Sequence, residues 1–169
     1  MIKIGILGAA GYTGGELNSV VKNKDEVDVR FAFCFPDTYE IGMSHLGMKI
    51  LYSLMNEMDG VWCERAFAPL EDMEENMKRE GIGVWCLESL DEISEFDIIG
   101  FTLQYELCYT TMLHMLKISS IPLKAKDRKG LKNLVVVGGP CTCNAEPIAD
   151  FVDVVFIGEG EESNPAFIS

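Results

Sequence analysis

Short, almost uninterrupted runs of apolar residues are the feature that most constrains the fold of this chain. The clearest are Val29–Phe35 (VRFAFCF), Asp97–Leu103 and Leu134–Val137. A strand with one solvated face alternates apolar and polar residues, whereas continuous runs of this length indicate strands covered on both faces. After the first run, apolar residues recur at helical spacing, at positions 46, 50, 51, 54, 55 and 58. The chain therefore alternates buried strands with amphipathic helices.

The same alternation continues over most of the chain. Further strands are predicted over Val61–Ala68, Gly83–Leu87 and Val152–Ile157. Further helices are predicted over Gly15–Lys24, Pro69–Glu80, Tyr105–Ile118 and around Glu146–Phe151. Strands and helices in this rhythm predict an α/β fold: a doubly wound, mostly parallel sheet in three αβα layers, Rossmann-like and of the flavodoxin or cobalamin-domain type.

The apolar spacing also predicts which side chains face the core. The inward residues are expected to be Leu70, Met73 and Met77 on one helix, and Leu107, Cys108, Met112, Met115 and Leu116 on another. Ser44 is the expected cap of the helix that follows the polar loop 37–47. His114 and the two tryptophans, Trp62 and Trp85, are expected in or at the edge of the core.

The loops that follow the predicted strands hold the candidate site, because open parallel sheets bind ligands outside the carboxyl ends of their strands. Polar side chains there can contact a ligand or cap the next helix, and glycines admit a flat ring close to the backbone or simply make a turn. The candidate cofactor-binding residues are Asp37, His45, Gly47, Thr102, Gln104, Tyr105, Gly138, Gly139, Pro140, Gly158 and Gly160. For His45, a local hydrogen bond at the start of a helix is the preferred interpretation over contact with a ligand. The acidic stretch at 158–162 suits a turn and a domain junction. No catalytic residue and no metal ligand is predicted.

Charge and hydropathy narrow the partners. The net charge is −13, from 27 acidic and 14 basic residues, and the one basic run, Lys124–Lys129, is short. Such a surface repels phosphate backbones, so nucleic acid is not an expected direct partner. No apolar stretch approaches the ~20 residues that span a bilayer, and a cytoplasmic location is expected. The oligomeric state is left open.

The cysteines do not form a recognisable metal motif. Cys34, Cys63, Cys86 and Cys108 lie in apolar runs, where a reduced thiol acts as a small hydrophobe. Cys141 and Cys143 form a C-x-C pair without a second Cys or His pair nearby, which is weak evidence for zinc.

The first residues carry a separate signal. The opening MIKIGILGAAGYTGGEL places Gly5, Gly8 and Gly11 after a short strand, and residues 1–17 resemble the amino terminus of N-acetyl-gamma-glutamyl-phosphate reductase. The resemblance implies an NAD(P)-binding turn in which Gly8 and Gly11 approach the NADP phosphates. The spacing G-x-x-G-x-x-G is permissive, and that family's catalytic cysteine segment is absent.

A longer resemblance covers the rest of the chain. It is carried by VDVRFAFCFPDTYEIGMSHLGMKILYSLMNE, VWCERAFAPLEDMEENM, FDIIGFTLQYELCYTTMLHML and VVVGGPCTCNAEPIADFVDVVFIGEGEE. From about Tyr12 to Glu162 the chain resembles the amino-terminal region of radical SAM proteins with cobalamin-binding domains. The domains implied are 1–27, a strand-turn-helix like a dinucleotide-binding start; 28–162, a cobalamin-binding-like Rossmann domain; and 163–169, a tail.

This resemblance implies a binding module that acts with a radical SAM barrel. In such proteins the barrel holds S-adenosylmethionine and a 4Fe-4S cluster on Cys-x3-Cys-x2-Cys, a spacing absent from this sequence. The chain alone is therefore not expected to carry out radical SAM chemistry. Cobalamin is the implied cofactor, but the ligand motif Asp-x-His-x-x-Gly is not met, since Asp37 and His45 are eight residues apart. The alternatives are an NADP-binding reductase fragment and a ligand-free assembly domain.

Overall fold

A single parallel sheet forms the centre of the molecule. The computed structural model describes residues 20–130 and 132–168. The strands are β1 (Val29–Phe35), β2 (Val61–Phe67), β3 (Ile98–Thr102), β4 (Leu134–Gly138) and β5 (Val154–Val155). Their order in the sheet is β2-β1-β3-β4-β5, and every neighbouring pair is parallel. The predicted α/β fold with a parallel sheet is confirmed.

Helices cover both faces of this sheet. They are α1 (Tyr39–Ser44), α2 (Leu46–Glu57), α3 (Glu71–Glu80), α4 (Cys108–Ile118) and α5 (Gly160–Ile168). Short 3-10 turns lie at Lys24–Glu26, Ile93–Glu95, Ala125–Asp127, Pro140–Asn144 and Glu146–Ile148. Across residues 20–130 and 132–168, no helix combines the length and apolarity that a membrane crossing requires.

Successive residues of a strand pack into two separate cores, one on each face of the sheet. Phe31, Phe33 and Val136 point to the face covered by α2 and α5. Ala32 and Val135 point to the opposite face, which α3 and α4 cover. Because each face has its own helices, both sets of side chains are buried, and this explains the continuous apolar runs in the sequence. Burial raises the pKa of the thiols of Cys34, Cys63 and Cys86, so these residues act as core hydrophobes, as predicted.

Within residues 20–130 and 132–168, no strand pairs with the outer border of β2, which is engaged by side chains and by the Leu87 backbone. The Asn56 side chain bonds both backbone groups of Cys63, accepting from its N–H at 3.1 Å and donating to its carbonyl at 2.9 Å. The Glu88 carboxylate accepts from the Arg65 N–H at 2.7 Å, and the Leu87 N–H donates to the Arg65 carbonyl at 2.8 Å. Lys22 donates to the Val61 carbonyl. An edge strand with its polar groups engaged is a poor template for further pairing.

Two buried ion pairs lie beside this border. Arg30 contacts Glu64 (Nη2–Oε1 2.5 Å), and Arg65 contacts Glu88 (Nε–Oε1 2.8 Å). Both glutamate side chains are fully buried. Burial raises the pKa of Glu88, and its contacts with Arg65 offset part of that rise. Removing either arginine would leave a buried carboxylate without its cation and would destabilise the fold.

Several local predictions are wrong. The predicted strand at 83–87 forms only one bridge, between Trp85 and Glu92, because its backbone covers the border of β2 instead. The strand predicted over 152–157 pairs at only two residues. The polar loop 37–47 contains α1. Residues 20–23 are not helical, and the remainder of the helix predicted from Gly15 lies outside the described residues.

Three residues predicted to face the core are exposed instead. Leu70, Met73 and Leu107 lie at the surface, whereas Met77, Cys108, Met112, Met115 and Leu116 are buried as predicted. Apolar spacing identifies a face but not whether another element covers it. Residues 163–168, assigned to a tail above, lie in α5, where Phe167 and Ile168 pack against the α2-side core.

Candidate functional site

A cleft of about 220 Å³ opens at the carboxyl edge of the sheet. It lies on the α2 and α5 side, where β1, β3 and β4 end. After β1 the chain moves outward to β2, and it then returns to place β3 on the other side of β1. The boundary between β1 and β3 is therefore the topological switch point, the usual ligand position in this architecture. The floor of the cleft consists of Phe31, Phe33, Gly100, Phe101 and Val136.

The structure brings most of the candidate residues together around this cleft. Those that line it are His45, Gly47, Thr102, Gln104, Gly138, Gly139, Pro140, Gly158 and Gly160. Asp37 and Tyr105 do not line it. Convergence of loops from four strands follows from the parallel topology, and the binding role of these residues stays a prediction.

Asp37 and Tyr105 connect two loops across the switch point. The Tyr105 hydroxyl donates to the Asp37 carboxylate, so the loop after β1 is tied to the loop after β3. This hydrogen bond, with a smaller contribution from desolvation, raises the pKa of Tyr105 above its ordinary value. The second Asp37 oxygen accepts from the Thr38 N–H at 2.7 Å, which holds the carboxylate in place. The pair thus restrains the loops beside the cleft.

His45 caps α2, the role expected above for Ser44. Its Nδ1 accepts from the Met48 N–H at 3.2 Å, and its ring lies 5.3 Å from that of Phe35. The Ser44 hydroxyl donates instead to the Ile41 carbonyl. Because Nδ1 accepts, the neutral ring carries its proton on Nε2. His45 can therefore donate to a ligand from Nε2, but it has no free lone pair there for a metal.

Two polar side chains at the end of β3 also hold each other. The Gln104 amide donates to the Thr102 hydroxyl at 2.6 Å. Thr102 is buried and Gln104 is half-buried. The amide oxygen of Gln104 has no hydrogen-bond partner among the described residues and is the natural acceptor that this loop offers to a ligand.

The two glycines after β4 have different roles. Gly139 has φ 103°, and a Cβ there would lie 2.8 Å from the Leu103 carbonyl oxygen, so the close approach of two loops requires glycine. A Cβ on Gly138 would meet only Phe156, at 3.8 Å. The packing around Gly138 therefore leaves room for a side chain. Because glycine has none, the cleft stays open at this position.

Sequence reasoning missed several residues of the cleft. Asn164, on α5, lines the cleft with only 9% of its surface exposed, and its side chain has no hydrogen-bond partner among the described residues. Leu51 and Phe156 also line it. Asn164 had no signal in the sequence, because it lies in the segment predicted as a tail. Phe156 and Leu51 were recognised as apolar, but their position beside the cleft depends on how α2 and β5 pack.

The chemical character of the cleft is neutral. Although the chain carries a net charge of −13, the cleft is lined by no acidic or basic side chain in the described part of the chain apart from His45. Over residues 20–130 and 132–168, no group of three His, Cys, Asp or Glu side chains is placed to hold a metal ion. The arrangement suits binding of an uncharged, flat ligand surface by contact and hydrogen bonding.

His114 and the C-x-C pair do not line the cleft. His114 Nε2 is 2.8 Å from the Glu74 carboxylate, between α4 and α3. Cys141 is half-buried and Cys143 exposed, and burial raises the pKa of Cys141. Gly5, Gly8 and Gly11 lie outside the described residues.

Comparison with known proteins gives the relationship of this chain. Residues 47–169 match the family described as radical SAM proteins, N-terminal. The chain is also 30% identical over 135 residues to the uncharacterized protein MJ0966 of Methanocaldococcus jannaschii. That match covers 79% of this chain and 24% of the relative, so the chain spans about a quarter of the length of that protein. The family match includes the strands β2 to β5 and most of the cleft. The chain therefore belongs to the radical SAM N-terminal domain family.

Proposed function

We propose that this chain is the cofactor-presenting module of a radical SAM protein and that its cleft receives the planar tail of a corrinoid such as cobalamin. The observation that carries the proposal is the neutral, aromatic-floored cleft at the switch point of the sheet. S-adenosylmethionine and the iron–sulfur cluster are assigned to a separate catalytic barrel, with which this module would act.

The size of the cleft limits which part of a corrinoid fits. At about 220 Å³ it is smaller than the ~300–1,000 Å³ of pockets that enclose a drug-sized ligand. A whole corrin ring is therefore too large for it, whereas one flat heteroaromatic group is not. Phe31 and Phe33 would contact the faces of such a group, and Gln104 and Asn164 would meet its polar atoms.

The residues of the cleft also define how the cofactor would be held. Bound cobalamin supplies a cobalt ion that can carry an alkyl group. His45 would donate a hydrogen bond from Nε2 and leave the cobalt unligated by the protein, because its Nδ1 caps α2. The Asp37–Tyr105 pair would keep the loops after β1 and β3 open around the ligand.

Titration of the chain with hydroxocobalamin tests this proposal. Visible spectra and calorimetry should both report saturable binding. Gly138→Val should weaken binding at least about tenfold, because the new side chain enters the cleft, while thermal unfolding stays close to that of the wild type. Ser53→Val, on the exposed side of α2, is the matched control and should bind normally. Absence of heat and spectral change at hundreds of micromolar would contradict the proposal.

A further inference from the structure

The carboxyl edge of the sheet exposes large apolar side chains. Within five residues after the end of their strands, Tyr39 (41% exposed) follows β1, Leu70 (56%) follows β2, Leu107 (74%) follows β3 and Ile157 (73%) follows β5. Because the carboxyl ends of parallel strands share one edge, these side chains belong to the same end of the molecule. We call them the apolar edge. Exposed apolar surface concentrated in this way marks a site of association.

The opposite edge of the sheet lacks this exposed apolar surface. Among the described residues, the five positions before each strand hold no exposed large apolar side chain. They hold instead exposed charged residues, three lysines (Lys24, Lys129 and Lys132) and the acids Asp25, Glu26, Asp28, Glu57, Asp59, Glu95, Asp150 and Asp153. Exposed apolar surface is thus concentrated at the carboxyl edge, whereas exposed acids occur at both edges.

A groove at the end of β2 gives the apolar edge a shaped docking point. Its volume is about 330 Å³, and its apolar lining includes Phe67, Pro69, Leu70, Met73, Trp85 and Leu87. The Tyr39 ring packs edge-on against Phe67 at 5.4 Å and forms one wall. The carboxylates of Glu40 and Asp72 stand at the rim, and both residues are exposed. An apolar pocket with two acids beside it is complementary to an apolar side chain flanked by Lys or Arg.

We infer that this groove docks the catalytic portion of the same family's longer polypeptide through an apolar residue flanked by basic ones. Three observations favour this occupant. The chain corresponds to a quarter of its relative, which leaves three quarters to supply a partner surface. The groove lies at the same edge as the cleft, so docking there brings the partner beside the candidate cofactor position. The rim is acidic and therefore selects a basic partner.

The same charges disfavour a second copy of the chain. Two chains of net charge −13, each presenting Glu40 and Asp72, would repel when these rims meet. The inference rests on the family relationship and the apolar edge, not on cobalamin. Failure of cobalamin to bind would therefore not contradict the docking inference, and failure of docking would not contradict cobalamin binding.

Trp85 provides a direct reporter, because it lines the groove while Trp62 is buried in the core. The remaining three quarters of the Methanocaldococcus jannaschii relative, produced as a separate chain, should change Trp85 fluorescence and form a one-to-one complex in sedimentation. Leu70→Asp and Met73→Asp should each weaken the complex at least about tenfold. Ile82→Asp, at an equally exposed apolar residue outside the groove, should not.

Charge reversal tests the chemistry of the partner separately. An amphipathic helical peptide of leucine and lysine should compete for the groove, whereas its leucine–glutamate counterpart should not. The double variant Glu40→Lys, Asp72→Lys should reverse that preference. The inference is overturned if the separate chain does not bind, if the groove variants bind it as well as the wild type, or if the groove instead mediates self-association that Met73→Asp abolishes.

Discussion

His45 stands where a helix cap and a ligand-facing group coincide. Its Nδ1 supports the first turn of α2 through the Met48 N–H, and the residue lines the cleft. To bind a metal through Nε2, the neutral ring would have to carry its proton on Nδ1. The hydrogen bond from the Met48 N–H requires Nδ1 to be unprotonated, so His45 is suited to orienting a ligand and not to binding a metal. The helix-capping role of Nδ1 thus determines that Nε2 can only donate a hydrogen bond.

Replacement of His45 separates these roles. Asparagine is a good cap, so His45→Asn should unfold in urea within about 0.5 kcal/mol of the wild type, whereas His45→Ala should lose about 0.5–2 kcal/mol. Long-range ¹H–¹⁵N NMR should show the Nε2–H tautomer in the wild type. If His45→Asn kept its fold yet changed the axial ligation seen in the spectrum of added cobalamin, the assignment of His45 as a non-ligand would be wrong.

Tyr105 makes the stability of the chain sensitive to alkali. Its pKa is raised above 10.0 in the folded chain by the hydrogen bond to Asp37, so folding favours the neutral phenol. This contribution to the free energy of unfolding is complete below the unfolded pKa and is lost as the pH rises through the folded one. Between about pH 9 and 11, Tyr105→Phe should therefore lose less stability than the wild type in urea unfolding. Tyr39→Phe, which leaves the Asp37 contact intact, should behave like the wild type.

At the scale of elements, the packing of β1 against β3 sets the width of the cleft. A Cβ on Gly100 would lie 2.4 Å from Cζ of Phe31, a ring that also bounds the cleft. Any side chain at position 100 must push that ring aside. Glycine in this strand therefore keeps both the sheet and the cleft in their observed form.

Gly100→Ala should lower the free energy of unfolding by about 1–3 kcal/mol through this overlap. Combined with Phe31→Leu, its effect should be smaller than in the wild-type background, because the clashing ring atoms are gone. Urea unfolding of the two single variants and the double variant measures the coupling. Strictly additive effects would mean that the Phe31 ring does not limit this position.

The buried ion pair between Arg65 and Glu88 should show coupled effects on stability when its members are replaced. Arg65→Met leaves Glu88 buried without its cation and should cost about 3–5 kcal/mol. Adding Glu88→Gln removes the stranded charge and keeps an acceptor for the Arg65 backbone, so the double variant should recover a large part of that loss. Equal stability of the single and double variants in urea would show that the pair is not coupled.

The strands β1, β3 and β4 could be predicted to within about two residues, because burial on both faces leaves an almost continuous apolar run that needs no knowledge of the partners. β2 was predicted as closely, although Glu64 and Arg65 interrupt its apolar residues. The cleft could be predicted only as a set of loops. Asn164 reaches it through the packing of α5, which no local pattern encodes. Leu70, Met73 and Leu107 were expected in the core because apolar spacing does not show whether another element covers a helix face. Leu70 and Leu107 instead belong to the apolar edge, and Met73 lines the groove.

At the scale of the whole molecule, the excess of acid opposes compaction. Many acids lie together at the amino edge, where their mutual repulsion is screened by salt. Raising NaCl from about 0.02 to 0.5 M should therefore raise the melting temperature. A variant carrying Asp25→Lys, Glu57→Lys and Asp59→Lys should show a smaller rise. A melting temperature independent of salt in the wild type would contradict this account.

The closed border of β2 limits how the molecule can grow. Asn56, Glu88 and Lys22 already engage the amides and carbonyls that a visiting peptide would need. An incoming extended segment would have to displace these contacts before it could align. At this border, contacts with other proteins should therefore be made by fitting surfaces together rather than by lengthening the sheet, and concentrated solutions of the chain should not seed fibres from this side.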